Sequence, residues 1–154
     1  MEFGGRYLFH APRADVWAAL NDTHVLKAVI PGCERIAWVG ADALDLSIKV
    51  NLGVVHPVFA GDLELSNVIP AHSYTLSGRG RGGMLGLAQG AADIRLEDAP
   101  EGTLLSFVAA GKADGGIMRL GRSLIGKSAQ RVIDGFFESI GREMGASVTA
   151  LPPG

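Results

Sequence analysis

The chain has 154 residues, of which 47% are hydrophobic and 19% are charged. This length and composition predict one globular domain with a substantial apolar core. The net charge of -2 argues against nucleic acid as the main partner, because phosphate binding draws on a concentrated basic surface. The single cysteine, Cys33, excludes an internal disulfide. No apolar run reaches the ~20 residues that a membrane-spanning helix needs, so we expect no transmembrane segment.

The opening residues, MEFGGRYLFH, lack the basic and apolar regions of a secretory signal, so we expect a cytoplasmic protein. No internal repeat, linker or low-complexity tract interrupts the sequence. We therefore expect residues 1–150 to form one domain and residues 151–154 to be a short tail.

The chain begins with a predicted strand and two short helices. Apolar residues share one parity from Phe3 to Ala11, which predicts the strand, and Pro12 suits the first position of the helix that follows. Asp22 is placed to cap the second helix by accepting a backbone N–H from its first turn, near His24. A Pro-Gly pair then predicts the end of this helix.

Strands follow the two helices. Leucine, isoleucine and valine alternate with polar residues from Leu44 to Leu52, which predicts a half-buried antiparallel strand. The same alternation predicts four more strands. Their inward-facing residues are Phe59, Gly61, Leu63 and Leu65; Tyr74, Leu76, Gly78, Gly80 and Gly82; Ala88, Gly90, Ala92, Ile94 and Leu96; and Leu105, Phe107, Ala109, Gly111 and Ala113.

Apolar residues recur every three or four positions from about residue 116 to residue 148, which predicts one long helix with a wide apolar face. The residues of this stripe are Ile117, Leu120, Gly121, Leu124, Ile125, Ser128, Val132, Phe136, Ile140 and Met144. The predicted fold is therefore α+β, with a curved antiparallel sheet wrapped around a long C-terminal helix.

Glycine and alanine crowd the inward face of three successive strands, where a core would hold large side chains. One interpretation is close packing of helix on sheet, because small residues let backbones approach. The other is an apolar ligand cavity between sheet and helix, with larger residues as its walls. The candidate ligand-binding residues are Phe59, Tyr74, Gly78, Gly80, Ala88, Gly90, Phe107, Ala109, Gly121, Leu124, Ile125 and Ser128.

Two glycine-rich segments match nucleotide-binding patterns. Residues 121–128, GRSLIGKS, fit the P-loop letter for letter, but the helical stripe runs through them, whereas a P-loop needs free backbone amides between a strand and a helix. Residues 78–83, GRGRGG, fit the dinucleotide pattern, but a turn and a strand follow where a helix is required. Both matches are interpreted as accidental.

Catalytic and metal-binding patterns are sparse. The four histidines lie apart without ligand spacing, so we expect no metal site. Cys33 enters a strand after a tight turn, which favours a buried, unreactive thiol. No paired acid and base occupies inward positions, so we expect a protein that is not an enzyme and has no cofactor.

Basic residues gather on the long helix and on one strand. They are Arg119, Arg122, Lys127 and Arg131, together with Arg79 and Arg81. Solvation explains them, and docking to an acidic protein or an anionic membrane surface is the alternative.

Four segments carry a family resemblance. They are VWAALNDTHVLKAVIPGC at residues 16–33, FAGDLELS at 59–66, YTLSGRGRGG at 74–83 and GGIMRLGRSLI at 115–125. Together they resemble the CoxG family of carbon monoxide dehydrogenase subunits, a branch of the START-like (SRPBCC) superfamily with the helix-grip fold. The resemblance spans about residues 3–144.

The resemblance implies a non-catalytic accessory factor for a molybdenum hydroxylase of the carbon monoxide dehydrogenase type, acting in its maturation, membrane recruitment or quinone handling. A quinone or lipid would be the bound ligand. Many such proteins carry a C-terminal hydrophobic anchor, and this sequence departs from that pattern by ending at Gly154. We therefore expect any contact with a membrane to be peripheral. One alternative is a polyketide cyclase or dehydratase-like enzyme using Tyr74, Gln89 and Ser128. Another is a docking module with a filled core.

Overall fold

The structure is a computed structural model that describes residues 2–49, 54, 56, 58–81, 87–113 and 122–152. For residues 2, 87, 88, 112, 113, 122–130 and 132 this description covers the backbone alone. In chain order the elements are β1 (Glu2–Phe9), α1 (Arg13–Leu20), α2 (Thr23–Val29), β2 (Cys33–Trp38), β3 (Ala43–Lys49), β4 (Val58–Ile69), β5 (Ser73–Arg81), β6 (Leu87–Ala99), β7 (Gly102–Ala113), α3 (Arg122–Met144) and β8 (Val148–Leu151).

The eight described strands form one antiparallel sheet in the order β2-β3-β4-β5-β6-β7-β1-β8. The predicted α+β class is confirmed. The predicted parity is also confirmed along β4, where Phe59, Leu63 and Leu65 are more buried than the residues between them. The inward residues form the inner face of the sheet, which packs against the helices, and the alternate residues form its outer face. The predicted continuation of β3 to Leu52 lies outside the described residues.

The helix boundaries follow the capping signals in the sequence. The backbone N–H of His24 donates to Asp22 Oδ1 at 2.8 Å, which confirms the predicted cap of α2. Pro12 is the N-cap of α1, one position before the place predicted for it. Gly32 has a φ of 75°, and a Cβ there would lie 2.2 Å from the carbonyl oxygen of Lys49, so the turn into β2 requires glycine.

The C-terminal region differs from the prediction of an unbroken helix to residue 148. Helix α3 ends at Met144, Gly145 adopts a φ of 73°, and Val148 begins β8, which pairs with β1. Val148 continues the helical period in sequence, but a left-handed glycine ends the helix and the free edge of β1 supplies hydrogen bonds for a strand. The predicted start of the helix, before residue 122, lies outside the described residues.

An aromatic cluster fixes the second half of α3 to the sheet. The ring of Phe137 lies 4.6 Å from that of Tyr7, 5.6 Å from that of Phe107 and 6.4 Å from that of Phe9, measured between centroids. The hydroxyl of Tyr7 also donates a hydrogen bond to Asp134 Oδ1 on the same helix. This part of the core therefore lies between α3 and strands β1 and β7, and buried residues of α1, α2 and the other long strands extend it. Within the described ranges, no helix combines the length and apolar character needed to cross a membrane.

Candidate functional site

An apolar cavity of about 100 Å³ lies between the inner face of the sheet and the three helices. The sheet contributes Leu44, Leu63, Leu65, Tyr74, Leu76 and Ile94 to its lining. The helical side contributes Leu20, Asn21, Leu26, Ile30, Phe136 and Phe137. Every described lining residue is uncharged, and only Asn21 and Tyr74 carry polar side chains. The cavity therefore suits an uncharged, apolar molecule.

Strand register sets the sheet side of the cavity. Leu65 pairs with Leu76, and Tyr74 pairs with Ile94, so inward side chains from three strands meet in adjacent rows. The helices form the other side of the cavity. Helices α1 and α2 follow β1 after short connections, and their buried residues, such as Leu26, face the sheet. The apolar faces that periodicity predicts for the single strands and helices thus meet around one cavity.

Tyr74 is the main polar feature of the cavity. Its side chain is only 6% exposed, and its hydroxyl has no hydrogen-bond partner among the described residues. Its ring meets that of Trp17 edge to face, with centroids 5.2 Å apart. Burial raises the pKa of the phenol above the ordinary tyrosine value of about 10, so the group stays protonated at neutral pH. An unpaired, neutral hydroxyl in an apolar cavity can donate to a ligand oxygen.

The second polar side chain is already engaged. Asn21 Nδ2 donates to the backbone carbonyl of Trp17 at 2.9 Å, which holds the amide at the C-terminal end of α1. Tyr74 is therefore the polar side chain of the described lining that has no hydrogen bond of its own.

The small residues align across strands, as the sequence pattern predicts. Gly61, Gly80, Ala88 and Ala113 form one row, and Leu63, Gly78, Gly90 and Gly111 form the next. The two interpretations of these residues apply at different positions. A Cβ at Gly78 would lie 2.9 Å from Leu63 Cδ2, so this glycine accommodates a packed neighbour. A Cβ at Gly80 would meet only the carbonyl oxygen of Ala60, at 4.0 Å. None of the described side chains therefore fills the space beside Gly80 on the inner face.

The other predicted site residues are distributed more widely than the prediction implies. Phe107 is buried beside Phe137, and Ala109 is half-buried against the same core. Phe59 is half-buried and pairs with Ile48, but it does not line the described cavity. Gly90 belongs to the inward row yet is exposed, and a Cβ there would lie 3.0 Å from the carbonyl oxygen of Ala110.

The structure does not describe the side chains of four predicted site residues near the start of α3. Gly121 lies outside the described residues. Leu124, Ile125 and Ser128 belong to α3 by their backbone alone. Their predicted contacts with a ligand therefore stay predictions.

Sequence reasoning assigned the helical wall to the first half of α3 and missed the wall that the structure describes. Leu20 ends α1, Leu26 lies within α2 and Ile30 is the C-cap of α2. Phe136 and Phe137 come from the second half of α3. The apolar stripes of these helices were the available signal. A stripe identifies a buried face but does not specify which strand residues lie opposite it.

The described parts of the two glycine-rich matches, and Gln89, lie in a helix and in strands. Residues 122–128 of the P-loop match lie within α3, so they do not form a phosphate-binding loop. The dinucleotide-like match begins in β5, and the next described element is β6, without a helix between them among the described residues. Gln89, named for the enzymatic alternative, is exposed on the outer face of β6, because its parity is opposite to that of Ile94.

The remaining candidates for reactive or metal-binding groups are Cys33 and the histidines. The Cys33 side chain is half-buried, its sulfur lies 3.5 Å from the carbonyl oxygen of Arg35, and burial raises the pKa of the thiol. The thiol is therefore protonated at neutral pH. Within the described ranges, no three His, Cys, Asp or Glu side chains gather as a metal site would require.

These features define an α+β protein whose antiparallel sheet and helices surround a small apolar cavity with one unpaired hydroxyl. The chain belongs to the CoxG family of carbon monoxide dehydrogenase subunits, whose sequence profile matches residues 5–145. The resemblance predicted from the sequence is confirmed. None of the curated proteins matches the chain.

Solved structures share the fold. A conserved protein from Geobacillus kaustophilus is 22% identical, with a TM-score of 0.84 over 96% of this chain and 99% of that one. A protein from Chromobacterium violaceum is 14% identical, with a TM-score of 0.71 over 92% and 95%. A protein from Rhodobacter sphaeroides is 13% identical, with a TM-score of 0.69 over 94% and 91%. At these identities the similarity establishes the fold alone.

Proposed function

We propose that this protein is a cytoplasmic, non-catalytic accessory factor of a carbon monoxide dehydrogenase-type molybdenum hydroxylase, and that it holds a neutral lipophilic molecule, a quinone or a similar lipid. Family membership supports the association with the enzyme. The Tyr74 side chain, which is buried in the lining of an apolar cavity and whose hydroxyl is unpaired among the described residues, is the observation that carries ligand binding. The proposal takes the fold to be the helix-grip fold of START-like proteins, with the sheet curved around α3 and the ligand between them.

The lining selects for a neutral ligand. A carboxylate or phosphate among these side chains would lose its hydration without meeting a described positive charge, which costs several kcal/mol. A quinone carbonyl needs only one or two donors, and the Tyr74 hydroxyl supplies one. None of the described lining residues is an acid or a histidine, so the cyclase or dehydratase alternative has no acid–base pair among them to support it.

The described cavity has room for a ring or a short apolar segment, and a longer tail requires further space. We propose that the tail extends over Gly80, where a Cβ would meet only the carbonyl oxygen of Ala60 among the described residues. Burial of about 300 Å² of apolar ligand surface would contribute about 7 kcal/mol before association costs. Micromolar binding is the expected result.

Trp17 provides an internal reporter, because its ring packs against Tyr74 and the only other tryptophan is Trp38. In a Trp38→Phe background, titration with a short-chain quinone should quench Trp17 fluorescence saturably in the micromolar range. Tyr74→Phe should weaken this binding about two- to tenfold, the effect of losing one net hydrogen bond of about 0.5–1.5 kcal/mol.

Two comparisons complete the experiment. Leu76→Phe adds volume to the cavity wall and should reduce quinone binding without affecting the Tyr74 hydroxyl. A fatty acid of matched length should bind at least about tenfold more weakly than the quinone at neutral pH, because its carboxylate lacks a counter-charge. Absence of saturable binding by any quinone or neutral lipid would refute ligand carriage and leave the docking-module alternative.

A further inference from the structure

The outer face of the sheet carries a second and larger depression, of about 950 Å³, on the side opposite the apolar cavity. Its floor consists of small side chains from β3, β5, β6 and β7, namely Ala43, Ser77, Ala91 and Ala110. Ser77 pairs with Ala91, and Ala91 pairs with Ala110, so these residues cross the sheet in one row, in which Glu64 stands between Ala43 and Ser77. We call this depression the outer groove. Its small side chains allow another backbone to approach the sheet closely.

Three carboxylates line the outer groove on β3 and β4. Asp45 pairs directly with Asp62 across the two strands, and Glu64 lies two residues further along the same face of β4. Like charges placed directly opposite each other destabilise a sheet. None of the three forms an ion pair with a described residue. Arg79, which pairs with Asp62 from the β5 side, is the one positively charged residue among the described groove residues, so the described lining carries a net negative charge.

The charge of the groove identifies the chemistry of its occupant. A cationic partner would relieve the repulsion between Asp45 and Asp62, whereas an anionic one would add to it. The spacing adds a second constraint, because alternate residues of a strand lie about 6.6–6.8 Å apart on one face. Asp62 and Glu64 therefore match two basic side chains on alternate residues of an extended peptide.

We propose that the outer groove docks an extended basic segment of a partner protein, with arginine or lysine on alternate residues. The segment lies along β4, its basic side chains pair with Asp62 and Glu64, and its backbone crosses the row of small residues between Ala43 and Ser77. This interaction uses the face opposite the ligand cavity, so the protein can bind its partner and its ligand at the same time. It does not depend on the proposed ligand.

The test measures fluorescence anisotropy of a labelled peptide that contains two arginines separated by one serine. The control peptide has the same composition with the arginines adjacent. The triple variant Asp45→Asn, Asp62→Asn, Glu64→Gln removes the groove charges. A matched triple variant, Glu101→Gln, Glu138→Gln, Glu143→Gln, removes three exposed carboxylates elsewhere.

The native protein and the matched variant should bind the alternating peptide equally within about twofold, and the groove variant should bind at least about tenfold more weakly. The adjacent-arginine peptide should bind the native protein more weakly than the alternating one. The groove variant should unfold at about the same temperature as the native protein, because it loses the like-charge pair Asp45–Asp62 together with the opposite-charge pair Asp62–Arg79.

Three results would overturn the proposal. The first is absence of binding at 0.15 M salt. The second is an equal loss of binding in the two triple variants, which would indicate attraction to overall charge. The third is a native dimer in sedimentation that the groove variant dissociates, which would make a second copy of the chain the occupant.

Discussion

Replacing Phe137 with alanine should identify the contact that holds α3 on the sheet. The side chain is 5% exposed and contacts the rings of Tyr7, Phe9, Phe107 and Phe136. Phenylalanine-to-alanine changes in cores cost about 3–5 kcal/mol, and each favourable aromatic pair adds about 0.5–1.5 kcal/mol beyond area burial. With four ring partners, a loss of about 4 kcal/mol is expected.

The neighbouring residue provides the control. Phe136 is half-buried and also lines the cavity, but Phe137 is its only aromatic contact among the described rings. Phe136→Ala should therefore cost only about 1–2 kcal/mol. Both variants enlarge the cavity. A difference between their free energies of unfolding therefore reports the aromatic contacts of Phe137 and not the change in cavity volume.

Urea denaturation followed by circular dichroism measures both free energies of unfolding. At about 2–4 °C per kcal/mol, Phe137→Ala should also lower the melting temperature by roughly 8–16 °C. The reasoning is wrong if the two variants lose equal stability, or if Phe137→Ala loses less than about 2 kcal/mol. Either result would mean that α3 is held mainly by contacts other than this cluster.

Three further predictions follow from individual positions. Gly80→Leu should abolish binding of an apolar probe and lower the free energy of unfolding by less than about 1 kcal/mol. Gly78→Leu should lower it by about 1–3 kcal/mol, because the new side chain would meet Leu63. Equal losses of stability would refute the open space at Gly80. Above pH 10, Tyr74 ionises in the unfolded chain but stays protonated in the folded protein, so the free energy of unfolding should fall by up to about 1.4 kcal/mol per pH unit. Tyr74→Phe should remove this pH dependence. An unchanged slope in the variant would contradict the burial argument. Mg-ATP should not shift the melting temperature; a shift lost in Lys127→Ala would revive the phosphate-loop interpretation.

The parts of this fold that depend on neighbouring residues were predictable from the sequence. Alternation along β4 and β5 specifies which residues face inward, because the side-chain period of a strand is two whatever its partner is. The cap at Asp22 depends on a residue only two positions away. Gly32 lies in a Pro-Gly pair that marks a turn in any context.

Features that depend on distant residues were not predictable. The difference between Gly78 and Gly80 arises because Leu63, on another strand, covers one and not the other. The apolar stripe on α1 and α2 predicts burial, but register and helix placement decide that Leu26 lies opposite the sheet residues of the cavity. Similarly, β8 exists because β1 offers a free edge, which the periodicity around Val148 does not indicate.

The position of β1 has a consequence for the order of folding. Glu2–Phe9 pairs on one side with β7 and on the other with β8, so the first strand lies between the last two. Its ladder with β7 closes a loop of roughly 100 residues, an entropic cost that slows folding of such topologies. At roughly 5–20 residues per second of synthesis, β1 waits about 5–20 s on the ribosome before its first partner emerges. Over that interval its alternating apolar side chains are open to chaperones, and β2 to β6 can assemble as a meander before the first strand joins the sheet.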